Sequence, residues 1–197
     1  MTRTARVRQV VASHCLHYPD DELRERLPLL RRCLDEVPDP GLAALLDHLR
    51  RTPPVEAARH YVEVFDTDAQ RCLYLTWYTD GDTRRRGASL AGLKREYRRH
   101  GFVPAAGELP DYLPVLLEFA ARTGEVRPLS GYRPALELLH RNLRDLGTPY
   151  ASAVATVLAT VPVREDARPV AADTPVERVG LEPVLLGYPT RPPESTR

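Results

Sequence analysis

Histidine and cysteine come together once in this sequence, at His14, Cys15 and His17, where three potential metal ligands fall within four residues. On a helix the two histidines would share one face. Zinc sites draw on a second pair of ligands, however, and His48, His60, His100 and His140 stand singly with no Cys-x-x-Cys to complete a set. Chemistry also concentrates in RCLYLTWYTDGDTRRRG, residues 71–87, which turns from apolar and aromatic to sharply polar. Asp80-Gly81-Asp82 resembles the start of a cation loop, but Arg84, Arg85 and Arg86 occupy the positions where an EF-hand continues its oxygen ligands. A phosphate cradle would need G-x-x-x-x-G-K-[ST], which is absent. Neither G-x-S-x-G, H-E-x-x-H nor a Cys-His signature occurs, so the residues point to no catalytic group, no metal and no enzyme.

Two recognition surfaces remain. Residues 84–100 carry seven Lys or Arg against one acidic side chain, Glu96, which is the footprint of a nucleic-acid-binding regulator or simply a solvated helix face. The whole-chain charge of +1, from 28 basic and 27 acidic residues, supplies no global field to attract nucleic acid. The second surface gathers aromatics and acids near two helix junctions: Tyr61, Phe65, Asp66, Trp77, Tyr78, Asp80, Asp82, Glu108 and Asp111. Together they would suit a groove for an amphipathic peptide bearing basic residues. Equally, the aromatics are core and the acids are helix caps.

The elements that must position these residues read as helices throughout, because apolar positions recur at three- and four-residue spacing over the first 160 residues or so. A first helix is predicted over about 4–17, with Val7, Val10, Val11 and His14 on one side. Asp20 caps a second, carrying Leu23, Leu27, Leu30 and Leu34, with Pro28 as a candidate kink. A third spans 41–51, and Pro53-Pro54 opens a fourth with Ala57, Ala58, Tyr61, Val62 and Phe65 inward. The next begins at Asp82 or Thr83 and runs to His100; another is capped by Asp111, and two more start at Pro134 and Pro149. The fold class is all-α, a single-domain helical bundle over 1–161. Residues 162–197 hold seven prolines and little periodicity, and are expected to form a mostly disordered tail, with GLEPVLLGYP (180–189) as its one docking candidate.

No apolar stretch reaches the roughly 20 residues that cross a bilayer, so no membrane insertion is expected. The N-terminal 23 residues read as an amphipathic helix rather than a signal peptide, since VVA is interrupted at Ser13. Three widely spaced cysteines, Cys15, Cys33 and Cys72, fit a reducing cytoplasm better than a disulfide framework.

Several segments together, YVEVFD (61–66), RCLYLTWYTDGDTRRRG (71–87), LKREYRRHGF and ELPDYLPVLLEFAA (108–121), resemble the NarJ-type nitrate reductase molybdenum cofactor assembly chaperones. VVASHCLHYPDDEL (10–23) and GLEP (180–183) are similar to the same family. The resemblance implies the fold of the TorD-like maturation chaperones and a chaperone that binds the N-terminal segment of the apo nitrate reductase alpha subunit in the cytoplasm. It further implies that the chaperone assists molybdenum cofactor insertion, holds no cofactor of its own, works beside molybdenum cofactor biosynthesis proteins without nucleic acid, and is no part of the finished enzyme. Glu108, Pro110 and Asp111 are the nearest counterpart here of that family's acidic, proline-containing motif, at a shorter spacing.

Overall fold

The computed structural model describes residues 1–105 and 107–171, and among these every regular element is a helix. The first, α1 (Arg3–Cys15), starts from Thr2, whose hydroxyl accepts a hydrogen bond from the Ala5 amide at 3.2 Å. Asp20 and Asp39 cap α2 (Asp21–Glu36) and α3 (Pro40–Arg51) in the same way, each satisfying an amide that the helix itself leaves free. The second helix continues through Pro28. Pro54 opens α4 (Pro54–Phe65), where a missing N–H is no loss. After a 3-10 turn at Ala69–Arg71 come α5 (Leu75–Asp80), α6 (Arg84–Arg99), α7 (Leu113–Thr123), α8 (Arg127–Ser130), α9 (Arg133–Leu146) and α10 (Ala151–Thr160). None of these helices is long and apolar enough to cross a membrane.

The bundle is built around α1, which packs against α7, α10, α2 and α3. Its buried positions are therefore Gln9, Val11, Ala12, Ser13 and Cys15, a broader set than the single stripe read from periodicity. The two polar members are satisfied across helices: Gln9 Nε2 donates to Thr160 Oγ1 at 3.1 Å and Ser13 Oγ donates to the Pro114 carbonyl at 2.9 Å. Val10 and His14, expected on the buried stripe, instead border an open cleft.

Between α4 and α6 periodicity predicts no helix, and the structure inserts α5. Six residues are too few for a 3.6-residue pattern to register. What holds α5 is a bridge to the segment before α7. The Leu75 amide donates to the Asp111 carbonyl at 3.0 Å, and the Leu113 amide donates to the Leu73 carbonyl at 2.8 Å. Asp111 was expected to cap α7, but Tyr112 stands at that position and the Asp111 carboxylate reaches across to α5. Its Oδ2 accepts from both the amide and the hydroxyl of Thr76, the second residue of α5, so it caps a helix 35 residues away in sequence. Arg86 of α6 completes the knot, donating to Thr76 Oγ1 at 3.1 Å with its guanidinium 3.9 Å from Asp111.

Residues 162–171 carry no helix, yet they run along the bundle. The Arg168 amide donates to the Gly131 carbonyl at 2.8 Å and the Ala171 amide to the Tyr78 carbonyl at 2.9 Å. The remainder of the expected tail, 172–197, including the 180–189 stretch, lies outside the described residues.

Asp111 is fully buried. Replacing it with Ala strands the Thr76 amide and hydroxyl in the interior and leaves the half-buried Arg86 without its carboxylate, a loss of about 3 kcal/mol. For a domain of this size that lowers the melting temperature by roughly 6–12 °C. Thermal unfolding followed by circular dichroism checks it, and Glu108→Ala three residues away should leave the melting temperature within about 2 °C of the unaltered protein, as surface changes usually do.

Candidate functional site

A cleft of about 700 Å³ opens between α1, the start of α2, α7 and the loop that precedes α7. Val10, His14, His17 and Tyr18 line it from α1 and the turn that follows, Tyr74 and Tyr112 from the bridged segments, and Glu108, Glu118 and Arg122 from α7 and the loop before it. Each wall follows from a local feature already described. Pro19 and the Asp20 cap break the chain after α1, which leaves His17 and Tyr18 in the turn at the cleft mouth. The bridge between 73–75 and 111–113 sets Tyr74 and Tyr112 beside each other, their ring centroids 5.3 Å apart.

Behind this wall lies a layer of packed aromatics. Tyr61 and Phe65 of α4 lie 4.8 Å apart between centroids, and both pack on Tyr150. The Tyr61 hydroxyl donates to the Leu16 carbonyl at 3.1 Å and lies 3.0 Å from the Tyr112 hydroxyl, so the buried layer and the cleft wall are hydrogen-bonded to each other. Tyr18 stands edge-on to Tyr61 and His17 edge-on to Tyr112, at 5.5 and 5.6 Å. Burial pushes the Tyr112 hydroxyl up to about 12 and raises Tyr61 further, so both are neutral donors at any physiological pH.

The charges around the cleft are of two kinds. Glu22 pairs with Arg26, Glu118 pairs with Arg122 at 2.7 Å, and Asp20 is occupied as a cap. Glu108 has no ion-pair partner among the described residues and is half-buried in the cleft lining. His14 and His17 are both pulled below the usual imidazole range, chiefly by burial; Arg26 adds to this at His14, while Glu108 and Glu118 oppose it at His17. No group of three His, Cys, Asp or Glu among the described residues is disposed to hold a metal ion. Cys15 in particular is fully buried and its thiol is pushed up to about 12 by loss of water.

The nine residues picked from sequence divide over this geometry. Tyr61 and Phe65 back the cleft and Glu108 lines it. Asp111 is the buried knot between α5 and α7. Tyr78 is buried too, its hydroxyl donating to the Gln70 and Cys72 carbonyls at 3.0 and 2.9 Å. Asp66 is exposed at the end of α4. Trp77 is half-buried on α5, with Asp80 at that helix's far end and Asp82 exposed beyond it. Tyr18, Tyr74 and Tyr112 are not among the nine, and His14 and His17, singled out by type as possible metal ligands, line the cleft with them. On the basic helix α6, Arg84, Arg85, Lys94, Arg95 and Arg98 are exposed and make no ion pair with described residues, whereas Arg86 turns inward to Thr76.

A model of the family described as "Nitrate reductase delta subunit" matches residues 20–155. Nitrate reductase-like protein NarX of Mycobacterium tuberculosis is 39% identical over 155 residues, which are 76% of this chain but only 23% of that protein, so the chain spans about a quarter of that relative. NarJ of Bacillus subtilis is 35% identical over 137 residues, covering 68% of this chain and 72% of its own. The nitrate reductase molybdenum cofactor assembly chaperone NarJ of Escherichia coli is 30% identical over 152 residues, 72% of this chain and 64% of that one. Among solved structures, a redox enzyme maturation protein from Archaeoglobus fulgidus superposes with a TM-score of 0.61 over 78% of this chain and 91% of that chain, at 18% identity, and shares its fold.

The two cleft histidines should make the protein sensitive to mild acid. Their folded pKa values lie below the unfolded value, so the unfolded chain takes up protons first and stability is full above about pH 6.5 and falls as the pH drops through that range. Melting temperatures at pH 7.5 and 5.5 should differ by several degrees, and His14→Gln with His17→Gln should narrow the gap. His48 and His140, lowered by burial too, should keep it from closing.

Proposed function

The chain belongs to the nitrate reductase delta subunit family, and from that premise we propose that it is a chaperone for nitrate reductase assembly rather than an enzyme. Its client is the apo alpha subunit, whose N-terminal segment it binds in the cytoplasm. It keeps that subunit open while molybdenum cofactor is inserted, with cofactor biosynthesis proteins as further partners, and it leaves before the complex is finished. The cofactor is cargo of the client, so no residue here is assigned to hold it.

One observation carries the reading: an open cleft with three tyrosines, backed by a hydrogen-bonded aromatic layer and lined by Glu108, which has no ion-pair partner among the described residues. An amphipathic helix with apolar residues on one face and a lysine or arginine beside them would fill the tyrosine wall and place its cation at Glu108. Tyrosine suits this use, since it presents large contact area and loses little freedom on binding. Asp66, close enough to raise Tyr74 and Tyr112, would extend the contact, and Trp77, Asp80 and Asp82, on α5 and just beyond it, would be reached only by a peptide that runs on past the cleft, whereas Tyr78 and Asp111 would act on it only through the fold.

Calorimetric titration with a synthetic peptide of the alpha subunit's N-terminus tests this directly. Tyr18→Ala and Glu108→Lys should each weaken binding about tenfold or more while leaving the melting temperature in place. Raising the salt from about 50 to about 500 mM should weaken the unaltered protein and leave Glu108→Gln nearly indifferent. Absence of binding to the unaltered protein would remove the client, and unchanged affinity in both variants would move the peptide off the cleft.

A further inference from the structure

At the far end of α5 from the cleft, the segment 162–171 delivers one side chain into a site built by three other elements. Arg168 lies with its guanidinium carbon 4.8 Å from the centroid of the Tyr132 ring, which stands at the start of α9. Its Nη1 donates to Ser89 Oγ of α6 at 2.8 Å and lies 3.9 Å from the Asp80 carboxylate at the end of α5. An aromatic face, a hydroxyl and a carboxylate are what a planar cation uses in stacking and hydrogen bonding, and an ammonium would satisfy them less well. The supports belong to elements other than the segment: with Arg168 in place Tyr132, which opens α9, is 1% exposed, and the side chain of Asp80, which ends α5, is 14% exposed.

The occupant is held less firmly than the site. The Arg168 side chain remains 43% exposed and its ion pair is long. Among the described residues the segment's other anchors are the two main-chain hydrogen bonds to Gly131 and Tyr78, while Arg164 pairs with its neighbour Asp166. Main-chain bonds are available to any extended peptide, so only the arginine gives this contact its chemical identity. We propose that Asp80, Ser89 and the face of Tyr132 form a receptor for an arginine of a partner polypeptide, and that Arg168 fills it in cis until an extended, arginine-bearing segment displaces it. The site lies outside the tyrosine cleft and goes beyond the reading given for that cleft.

The test uses the full chain and an acetylated, amidated peptide copying residues 166–171, Asp-Ala-Arg-Pro-Val-Ala. Trp77, the chain's only tryptophan, sits one helical turn before Asp80 and reports binding by fluorescence. Arg168→Ala should bind this peptide about tenfold or more tighter than the unaltered chain, and a peptide with Ala in place of its arginine should not bind. Adding Asp80→Asn should abolish the gain. Arg168→Lys, which keeps the charge and loses the planar stack, should fall between; if Arg168→Ala melts early, the lysine variant decides alone. Equal affinity in variant and unaltered chain, or a gain that survives Asp80→Asn, overturns the proposal. The probe carries no reductase sequence, so its result is independent of the client assigned to the cleft.

Discussion

Asp111 is the constraint on which the recognition surfaces depend. Its carboxylate is withdrawn fully from water, and its Oδ2 is compensated by the amide and hydroxyl of Thr76 and by the nearby Arg86, while Oδ1 has no hydrogen-bond partner among the described residues and the main chain pairs with Leu75. A buried carboxylate without such partners would be strongly destabilising. With them, it fixes the short α5 to the start of α7, two segments that share no periodic signal and would otherwise have few reasons to meet. Tyr74 and Tyr112 are immediate neighbours of this knot, so the wall of the cleft is positioned by a group that never touches solvent. Asp80, at the other end of the same six-residue helix, takes its place relative to Tyr132 from the same anchor.

A second layer of order comes from the tyrosines. Burying a hydroxyl costs free energy unless it finds a partner, and here the partners carry structural information. Tyr61 reaches from α4 to the last turn of α1 and to Tyr112, Tyr97 reaches from α6 to the Pro110 carbonyl, and Tyr78 closes the loop before α5. These bonds converge on the loops that surround the cleft. An apolar core would be satisfied by many loop conformations, whereas a hydroxyl aimed at one carbonyl selects one. The cleft is thereby held in shape by contacts made behind it.

Much of this was legible in the sequence, and the rest has physical reasons for being hidden. The helices α1 to α4, α6, α7, α9 and α10 follow from periodicity, capping residues and prolines, which are local signals. The six-residue α5 and four-residue α8 do not, because their stability comes from distant partners such as Asp111. Residue type singled out aromatics and acids as a class; of these Glu108 lines the cleft, while Tyr61 and Phe65 lie in the packed layer behind it. It could not separate them from Asp111 and Tyr78, since a carboxylate or phenol reads the same whether it faces water or the core. The cleft tyrosines Tyr18, Tyr74 and Tyr112 come from three separate stretches, and only the pairing of 73–75 with 111–113 and the edge-on contact of Tyr18 with Tyr61 bring them together.

That difficulty points to what distinguishes a recognition carboxylate from a structural one. Asp20, Asp39 and Asp68 are engaged as helix caps, and Glu22, Asp47, Glu63, Glu118 and Glu137 sit in ion pairs along their own helices or with a neighbour. A group whose lone pairs are already taken offers little to a partner, because the new bond must replace an old one. Glu108 is half-buried in the cleft lining, lies beside an aromatic wall and has no such engagement among the described residues, so its field is available where apolar contact would also be made. Asp80 is the intermediate case, engaged by a guanidinium from a segment that two main-chain bonds hold in place. Availability, more than acidity or position in a motif, is what makes these two carboxylates candidates for work on another chain.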